Sequence, residues 1–292
     1  MKGIKIVVDS ACDVPKALAE RFDIKVVPVN INIGKRSYGD GVDMTREDLY
    51  RKMKKRIIPT TSAPAPGTFL EAYRELAERA RTILSIHVTS KLSAIYQTAV
   101  LARSMVPEID VRVIDSLSAS MGAGFLALAA ARAIEAGKTV QEILALIEGI
   151  KARMNVFATV ATLKYLQLSG RVSQLQESFA SLLDVKPILA VHDGLIEATG
   201  RVRTRTRSLD RLLELTKEAV GGGEAISVAI VHAYAPEEAQ RLRERIEAIF
   251  KCREIFTVEI TPALAALGGP GLIGVVSYAE EGVGPPEERR TR

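Results

Sequence analysis

The sequence predicts an α/β protein of two α/β domains: residues 1–154, with a mostly parallel, helix-covered sheet, and residues 155–280, α+β with a mixed sheet. Three observations lead there. Apolar runs alternate with amphipathic helices through the first half, the pattern of a parallel sheet. In the second half the dipeptide Asp193-Gly194 lies between strand-like runs, a strong hairpin signal. The chain has 292 residues, 47% of them hydrophobic, which is enough for two cores of ordinary size. With no tryptophan and few other aromatics, those cores must be aliphatic.

The elements follow in order. Ile4–Val8 reads as a buried strand ended by Asp9-Ser10, and Pro15 to Arg21 as a short helix. Lys25–Pro28 and Asn30–Ile33 are strand-like, with a turn at Gly34-Lys35-Arg36. Thr45 opens a helix to Lys54, and Asp48 three residues on resembles the partner of a capping box. Pro66–Ala80 is a helix with Phe69, Leu70, Tyr73, Leu76 and Ala77 on one face. Thr82–Val88 and Asp110–Ile114 read as strands, and Leu92–Met105, Ala119–Glu135 and Val140–Arg153 as helices.

Beyond Asn155 come strand Val156–Val160 and short helix Leu163–Leu168. Runs Val185–Val191, Leu195–Ala198 and Val202–Thr206 predict a β meander. Helix Leu209–Val220 ends at Gly221-Gly222-Gly223. Strand Ile226–Val231, helix Pro236–Phe250, strand Glu254–Glu259, a Gly-rich segment and strand Ile273–Tyr278 complete the chain. Residues 281–292, rich in Glu, Arg and Pro, are expected to be a disordered tail.

Composition narrows the function. No signal peptide is recognisable, and the apolar stretch Met121–Ala131 is stopped by Arg132, short of the roughly 18 residues a membrane span needs. A cytoplasmic protein is expected, with Cys12 and Cys252 as reduced thiols. A net charge of +5 suits an acidic partner. Scattered carboxylates and the absence of His/Cys clusters argue against a metal.

Two hydroxyl-rich loops, Thr60-Thr61-Ser62-Ala63-Pro64-Ala65-Pro66-Gly67 and Thr89-Ser90-Lys91-Leu92-Ser93, each run into a helix. Small hydroxyls and free N–H groups at a helix start favour an anion. Lys91 is the only charge in either loop, so a carboxylate fits better than a triphosphate. Asp9-Ser10, Thr89-Ser90 and Asp115-Ser116 fall at strand ends, where ligands bind in α/β sheets; Asp9 and Asp115 read equally well as plain caps.

Catalysis is not indicated. His87 lies in a strand, His192 before a turn, and His232 at a strand end that could face a cleft. No G-x-S-x-G motif is present, and Gly268-Gly269-Pro270-Gly271 lacks the G-K-[ST] of a P-loop. Arg201, Arg203, Arg205 and Arg207 alternate at period two, which on a strand places them on one face. That face is either a solvated edge guarded by charge or a docking patch for an acidic partner. Nucleic acid is the weaker partner, since no aromatic residues interleave with the arginines.

Together these residues resemble the DegV family. Pro59-Thr60-Thr61-Ser62-Ala63-Pro64-Ala65-Pro66-Gly67-x-Phe69 is similar to its P-T-T-S-Q-P-S-P-x-x-F signature, and Leu92-Ser93-Ala94-Ile95-Tyr96-Gln97 to its L-S-G-T-Y-Q. Asp9-Ser10, Val113-Ile114-Asp115-Ser116, Leu163 through Tyr165-Leu166 with Gly170-Arg171-Val172-Ser173, Lys186-Pro187 and Gly269-Pro270-Gly271 fall in the family's order. The resemblance spans about residues 4 to 278.

The resemblance implies a fatty acid held between the two domains. Its carboxylate would lie at Thr61, Ser62 and Ser93, with Arg171 nearby. Phe69, Tyr73, Ile95 and Leu267 are candidates for the acyl tunnel. It further implies a binding subunit, without catalytic residues or cofactor of its own, that presents the carboxylate to a separate ATP-dependent kinase subunit making acyl phosphate for phospholipid synthesis. Arg201, Arg203 and Arg205 would then be docking candidates. A stand-alone lipid carrier, or an acyl hydrolase using Ser93 or Ser62, is the alternative. Ala63, Ala65, Ala94-Ile95 and Leu267 replace polar or smaller residues of the family pattern, which implies a more apolar pocket.

Overall fold

A computed structural model describes residues 3–172, 185–221 and 225–280. The expected disordered tail at 281–292 lies outside the described residues, as do Ser173, Gly222 and Gly223.

The protein is α/β, with three sheets among the described residues. Strands β1 (Gly3–Asp9), β2 (Ile24–Val27), β6 (Ala80–His87) and β7 (Asp110–Asp115) form a wholly parallel sheet in the order β2-β1-β6-β7. Its strands are runs such as Ile6-Val7-Val8 and Ile83-Leu84, buried from both faces, as parallel sheets require. Helices α1 (Lys16–Arg21), α3 (Pro66–Ala77), α4 (Ile95–Ser104) and α5 (Met121–Glu135) connect or cover them.

A small antiparallel sheet, β4-β3-β5, comprises β3 (Asn30–Ile33), β4 (Arg36–Gly39) and β5 (Thr60–Ser62). The expected turn at Gly34-Lys35-Arg36 is therefore the tip of a hairpin. The first hydroxyl loop begins as a strand, because Thr60 to Ser62 pair with Asn30 to Asn32. Helix α2 (Arg46–Lys54) precedes β5, with Thr45 Oγ1 accepting from the Asp48 amide as the capping pattern predicts.

After α6 (Val140–Arg153) come β8 (Asn155–Thr159) and α7 (Lys164–Ser169). Then follow β9 (Lys186–His192), β10 (Leu195–Val202), α8 (Arg205–Val220), β11 (Ala225–His232), α9 (Pro236–Ile249), β12 (Lys251–Glu259), α10 (Pro262–Gly268) and β13 (Ile273–Ala279). The sheet order is β10-β9-β8-β13-β11-β12, antiparallel except for the β11–β12 pair. The Asp193-Gly194 turn joins β9 to β10 with both residues at positive φ, as a two-residue hairpin demands.

The predicted third meander strand, Val202–Thr206, does not form. Thr204 caps α8 instead, its hydroxyl accepting from the Arg207 amide. The period-two arginines therefore do not share a face: Arg201 ends a strand and Arg205 opens a helix. The local hydroxyl cap outweighs the alternation of apolar and charged residues.

One continuous core runs from the parallel sheet through α5 and α10 to the near face of the six-stranded sheet. It joins Ile83, Leu126 and Ala263 to Val276 and Tyr278. A second core lies on the far face of that sheet, under α8 and α9. The carboxyl ends of β1, β6 and β7 and the helix α10 thus face one another across a seam.

Candidate functional site

An apolar tunnel lies in that seam, enclosing about 1150 Å³ of space including its open mouth. Ala11 and Val88 line it from the parallel sheet's carboxyl edge. Val231, Val276 and Leu189 line it from the six-stranded sheet, and Ala263, Leu264 and Leu267 from α10. Its deep residues are fully buried, with Val276 at 0% and Ala11 at 4% exposure. Leu92, Arg171 and Ile196 also border a surface groove, which places the mouth there. Among the described residues no aromatic side chain lines it.

Polar atoms on the lining are few. Thr89 Oγ1 donates to the Gly194 carbonyl at 3.0 Å and accepts from the Lys91 amide, so it ties the hairpin tip to the second loop. Ser120 Oγ donates to Asp13. Thr61, Ser93 and Arg171 remain. Alternation along β5 turns Thr61 inward and leaves Thr60 and Ser62 exposed. Ser93 Oγ accepts from the Ile95 amide at 3.3 Å, which leaves its O–H free to donate.

Arg171 follows Gly170, whose positive φ ends α7. Its Nη1 donates to the Ser169 carbonyl at 2.6 Å, and its Nη2 lies 3.5 Å from Thr61 Oγ1. Among the described residues it has no carboxylate partner. Partial burial pulls the guanidinium down from its ordinary value, because desolvation penalises the charge. A half-buried cation with no counter-anion among the described residues, 3.5 Å from the Thr61 hydroxyl and lining the same apolar tunnel as Ser93, favours a ligand with an anionic head and an apolar tail.

Several other sequence candidates lie elsewhere. Ser62 accepts from Asn32 Nδ2 at 3.2 Å and does not line the tunnel. Phe69 and Tyr73 are corrected from tunnel lining to core: both are fully buried between α3 and the parallel sheet, and Phe69 stacks edge-on against His87. The α3 stripe that carries them faces the sheet, as an amphipathic face does. Ile95 and Leu267 do line the tunnel. Arg201 and Arg203 are exposed. Arg205 is committed internally, its Nε and Nη2 donating to Glu238 at 3.0 and 2.8 Å and Nη2 also to the Gly271 carbonyl.

Asp9 and Asp115 prove to be backbone holders. Asp115 accepts from the Ser90 and Leu117 amides. Asp9 accepts from the Ala11 and Val88 amides and from His87 Nδ1 at 3.0 Å. His87 Nε2 lies 2.7 Å from Ser85 Oγ, which lies 2.8 Å from the Tyr73 hydroxyl, so the four side chains form one continuous hydrogen-bonded chain. This chain has the connectivity of a Ser-His-Asp triad, yet all three side chains are buried and none lines the tunnel. His232 accepts from the Ala235 amide through Nδ1, and His192 is exposed on the hairpin. No histidine hydrogen-bonds Ser93 or Ser62. Among the described residues no group of three His, Cys, Asp or Glu is placed to hold a metal, and no helix is long and apolar enough to cross a membrane.

The family model described as uncharacterised protein, DegV family, matches residues 3–280. The chain belongs to the DegV family. A DegV domain-containing protein of Streptomyces coelicolor is 36% identical over 94% of this chain and 98% of its own length. A DegV family protein from Thermus thermophilus, solved for its fatty acid binding, superposes with a TM-score of 0.91 at 31% identity. That match covers 95% of this chain and all of the other. DegV of Bacillus subtilis, described as a fatty acid binding protein, gives a TM-score of 0.89 at 30% identity over 96% of this chain and all of its own.

Sequence reasoning missed Ser120 and, apart from Leu267, the helix α10 as parts of the site. Thr89 was visible as a hydroxyl, but its partner is a carbonyl 105 residues away. Leu267 and the Gly269-Pro270-Gly271 turn marked the segment that holds α10, but not that it forms a helix.

Proposed function

We propose that this DegV family protein binds a long-chain fatty acid between its two α/β domains, residues 3–154 and 155–280, and presents the carboxylate to a separate ATP-dependent kinase subunit. Arg171 is the observation that carries the reading: a half-buried cation without an anionic partner among the described residues, at the mouth of an apolar tunnel. Thr61 and Ser93 supply the neutral donors. The relatives from Thermus thermophilus and Bacillus subtilis, described as fatty acid binding, support the ligand class.

The energetics suit a carrier. Burial contributes roughly 0.8 kcal/mol per methylene, so a dozen give on the order of 10 kcal/mol before ordering costs. Affinity comes from the tail and orientation from the head. The carboxylate is held at the protein's surface groove, where a partner's phosphoryl donor can reach it. Its oxygen attacks the γ-phosphorus of ATP bound to the kinase, releasing ADP and leaving acyl phosphate. Arg201 and Arg203, exposed on and just beyond edge strand β10, are the docking residues in this reading; Arg205 is not, being bound to Glu238. In this reading the protein works in the cytoplasm, where the kinase finds its ATP.

Titration of the delipidated chain with palmitate tests the reading. Submicromolar saturable binding, lost in the Thr61→Val/Ser93→Ala/Arg171→Gln variant, is expected. Undiminished binding in that variant rejects the head-group site.

A further inference from the structure

The segment from Glu259 to Ala263, which leads into α10, is held by side chains far away in sequence. Arg46 Nη2 donates to the Glu259 carbonyl at 2.7 Å and its Nε to the Ile260 carbonyl at 2.9 Å. Asp13 Oδ1 accepts from the Thr261 amide at 2.7 Å, and Asp40 Oδ1 from the Ala263 amide at 3.1 Å. The residue between, Pro262, has no N–H to satisfy. Ser120 and Ser10 donate to the second oxygens of Asp13 and Asp40. Both carboxylates are buried, at 3% and 4% exposure.

This grip has a purpose beyond packing, because α10 is a wall of the tunnel. Leu264 and Leu267, which line it, are only half-buried. The helix ends at Gly269 and Gly271, both at positive φ, where an added Cβ would strike Tyr165 and Ala161. The helix is thus pinned at its start by carboxylates and at its end by a turn that only glycine fits.

We infer that Asp13 and Asp40 are positioning residues that clasp α10 over the acyl tunnel, and that release of this clasp is the step that lets the fatty acid exchange. The inference rests on the fatty-acid reading of the tunnel. Its charge arrangement makes the clasp sensitive to pH. Two buried carboxylates face a single guanidinium, Arg46. Burial pushes Asp13 up to about 7, opposed by the bonds from Ser120 and Thr261, while Asp40 raises it and Arg46 lowers it further. Asp40 is raised too, again by burial first. Asp9 and Cys12 lie on the same segment as Asp13, and burial keeps the Cys12 thiol protonated. Across the seam stand Glu259 and His232, the latter pulled down by burial and so not the group that titrates near 7.

The clasped state holds the Asp13 proton up to about pH 7, whereas a hydrated Asp13 releases it near its ordinary value of 3.8. The clasped state therefore binds more protons, and raising the pH towards 7 favours release. For one proton the effect is at most about tenfold per pH unit.

Two measurements on the full chain test this. Fatty-acid dissociation, followed by stopped-flow with a fluorescent acyl probe, is expected to speed several-fold between pH 5.5 and 7.5. In the isosteric Asp13→Asn variant it stays slow and flat. Amide hydrogen exchange of Thr261 and Ala263 in the ligand-free wild type, corrected for intrinsic pH dependence, should show protection falling over the same range, and needs no variant to fold. Normal fatty-acid binding with flat dissociation and flat protection overturns the clasp and leaves the tunnel reading standing. No bound acyl chain, with protection still pH-dependent, supports the grip on α10 and overturns the tunnel reading and the exchange role with it.

Discussion

Arg171 Nη2 stands 3.5 Å from Thr61 Oγ1, joining the turn after α7 to the inward face of β5. Neither residue has a carboxylate partner among the described residues. The pair is separated by 110 positions in sequence, so the site exists only when the seam between the sheets is closed.

Removing the cation should weaken fatty-acid binding more than removing either hydroxyl. Hydrogen bonds to charged groups contribute about 1.5–3 kcal/mol, or roughly ten- to a hundredfold in affinity. Arg171→Gln is expected to fall in that range and Thr61→Val or Ser93→Ala below it. Competition binding against a fluorescent fatty acid gives the ranking, and equal effects would point to uniform polarity rather than a charge clasp.

The buried chain from Tyr73 through Ser85 and His87 to Asp9 should govern stability without touching the ligand. Asp9→Ala strands the Ala11 and Val88 amides and His87 Nδ1, each at about 1–3 kcal/mol. A loss of several kcal/mol in urea unfolding is expected. A variant that folds normally and loses only ligand affinity would contradict this assignment.

Stability should decline from about pH 4 towards 7 on account of Asp13. Its folded-state value is raised to about 7 from 3.8, so over that window the folded chain binds more protons than the unfolded one. Stability contributed by the proton is full below the unfolded value and is lost as pH rises through the folded one. Urea midpoints should show a shallower decline in Asp13→Asn than in the wild type; identical slopes would remove Asp13 from the account.

The arginines should separate into two kinds. Arg205→Ala breaks a part-buried bidentate bond to Glu238 and should lower the melting temperature. Arg201→Ala with Arg203→Ala should leave stability within about 0.5 kcal/mol and slow acyl-phosphate formation with a kinase subunit. Unchanged turnover in that double variant would move the docking surface elsewhere.

The parallel sheet was legible because its strands are apolar runs bounded by small polar residues, as in Ile4–Val8 before Asp9-Ser10. The Thr61 position was legible from the hydroxyl loop, but its separation from Ser62 depends on the alternation of β5, which a three-residue strand barely announces. Phe69 and Tyr73 looked like tunnel candidates because an amphipathic stripe does not say whether it faces a sheet or a ligand. Arg205 was misread because period-two charge outweighed the capping hydroxyl of Thr204. The clasp on α10 was invisible: Asp13, Asp40 and Arg46 carry no spacing that foretells partners more than two hundred residues away.

The central claim is that the tunnel holds an acyl chain with its carboxylate at Arg171, Thr61 and Ser93. Mass spectrometry of lipids extracted from the gently purified protein tests it most directly. The account predicts near-stoichiometric long-chain fatty acid in the wild type and little in the Thr61→Val/Ser93→Ala/Arg171→Gln variant. Reproducible absence of any long acyl chain from the folded wild type, or equal occupancy in both, would contradict it.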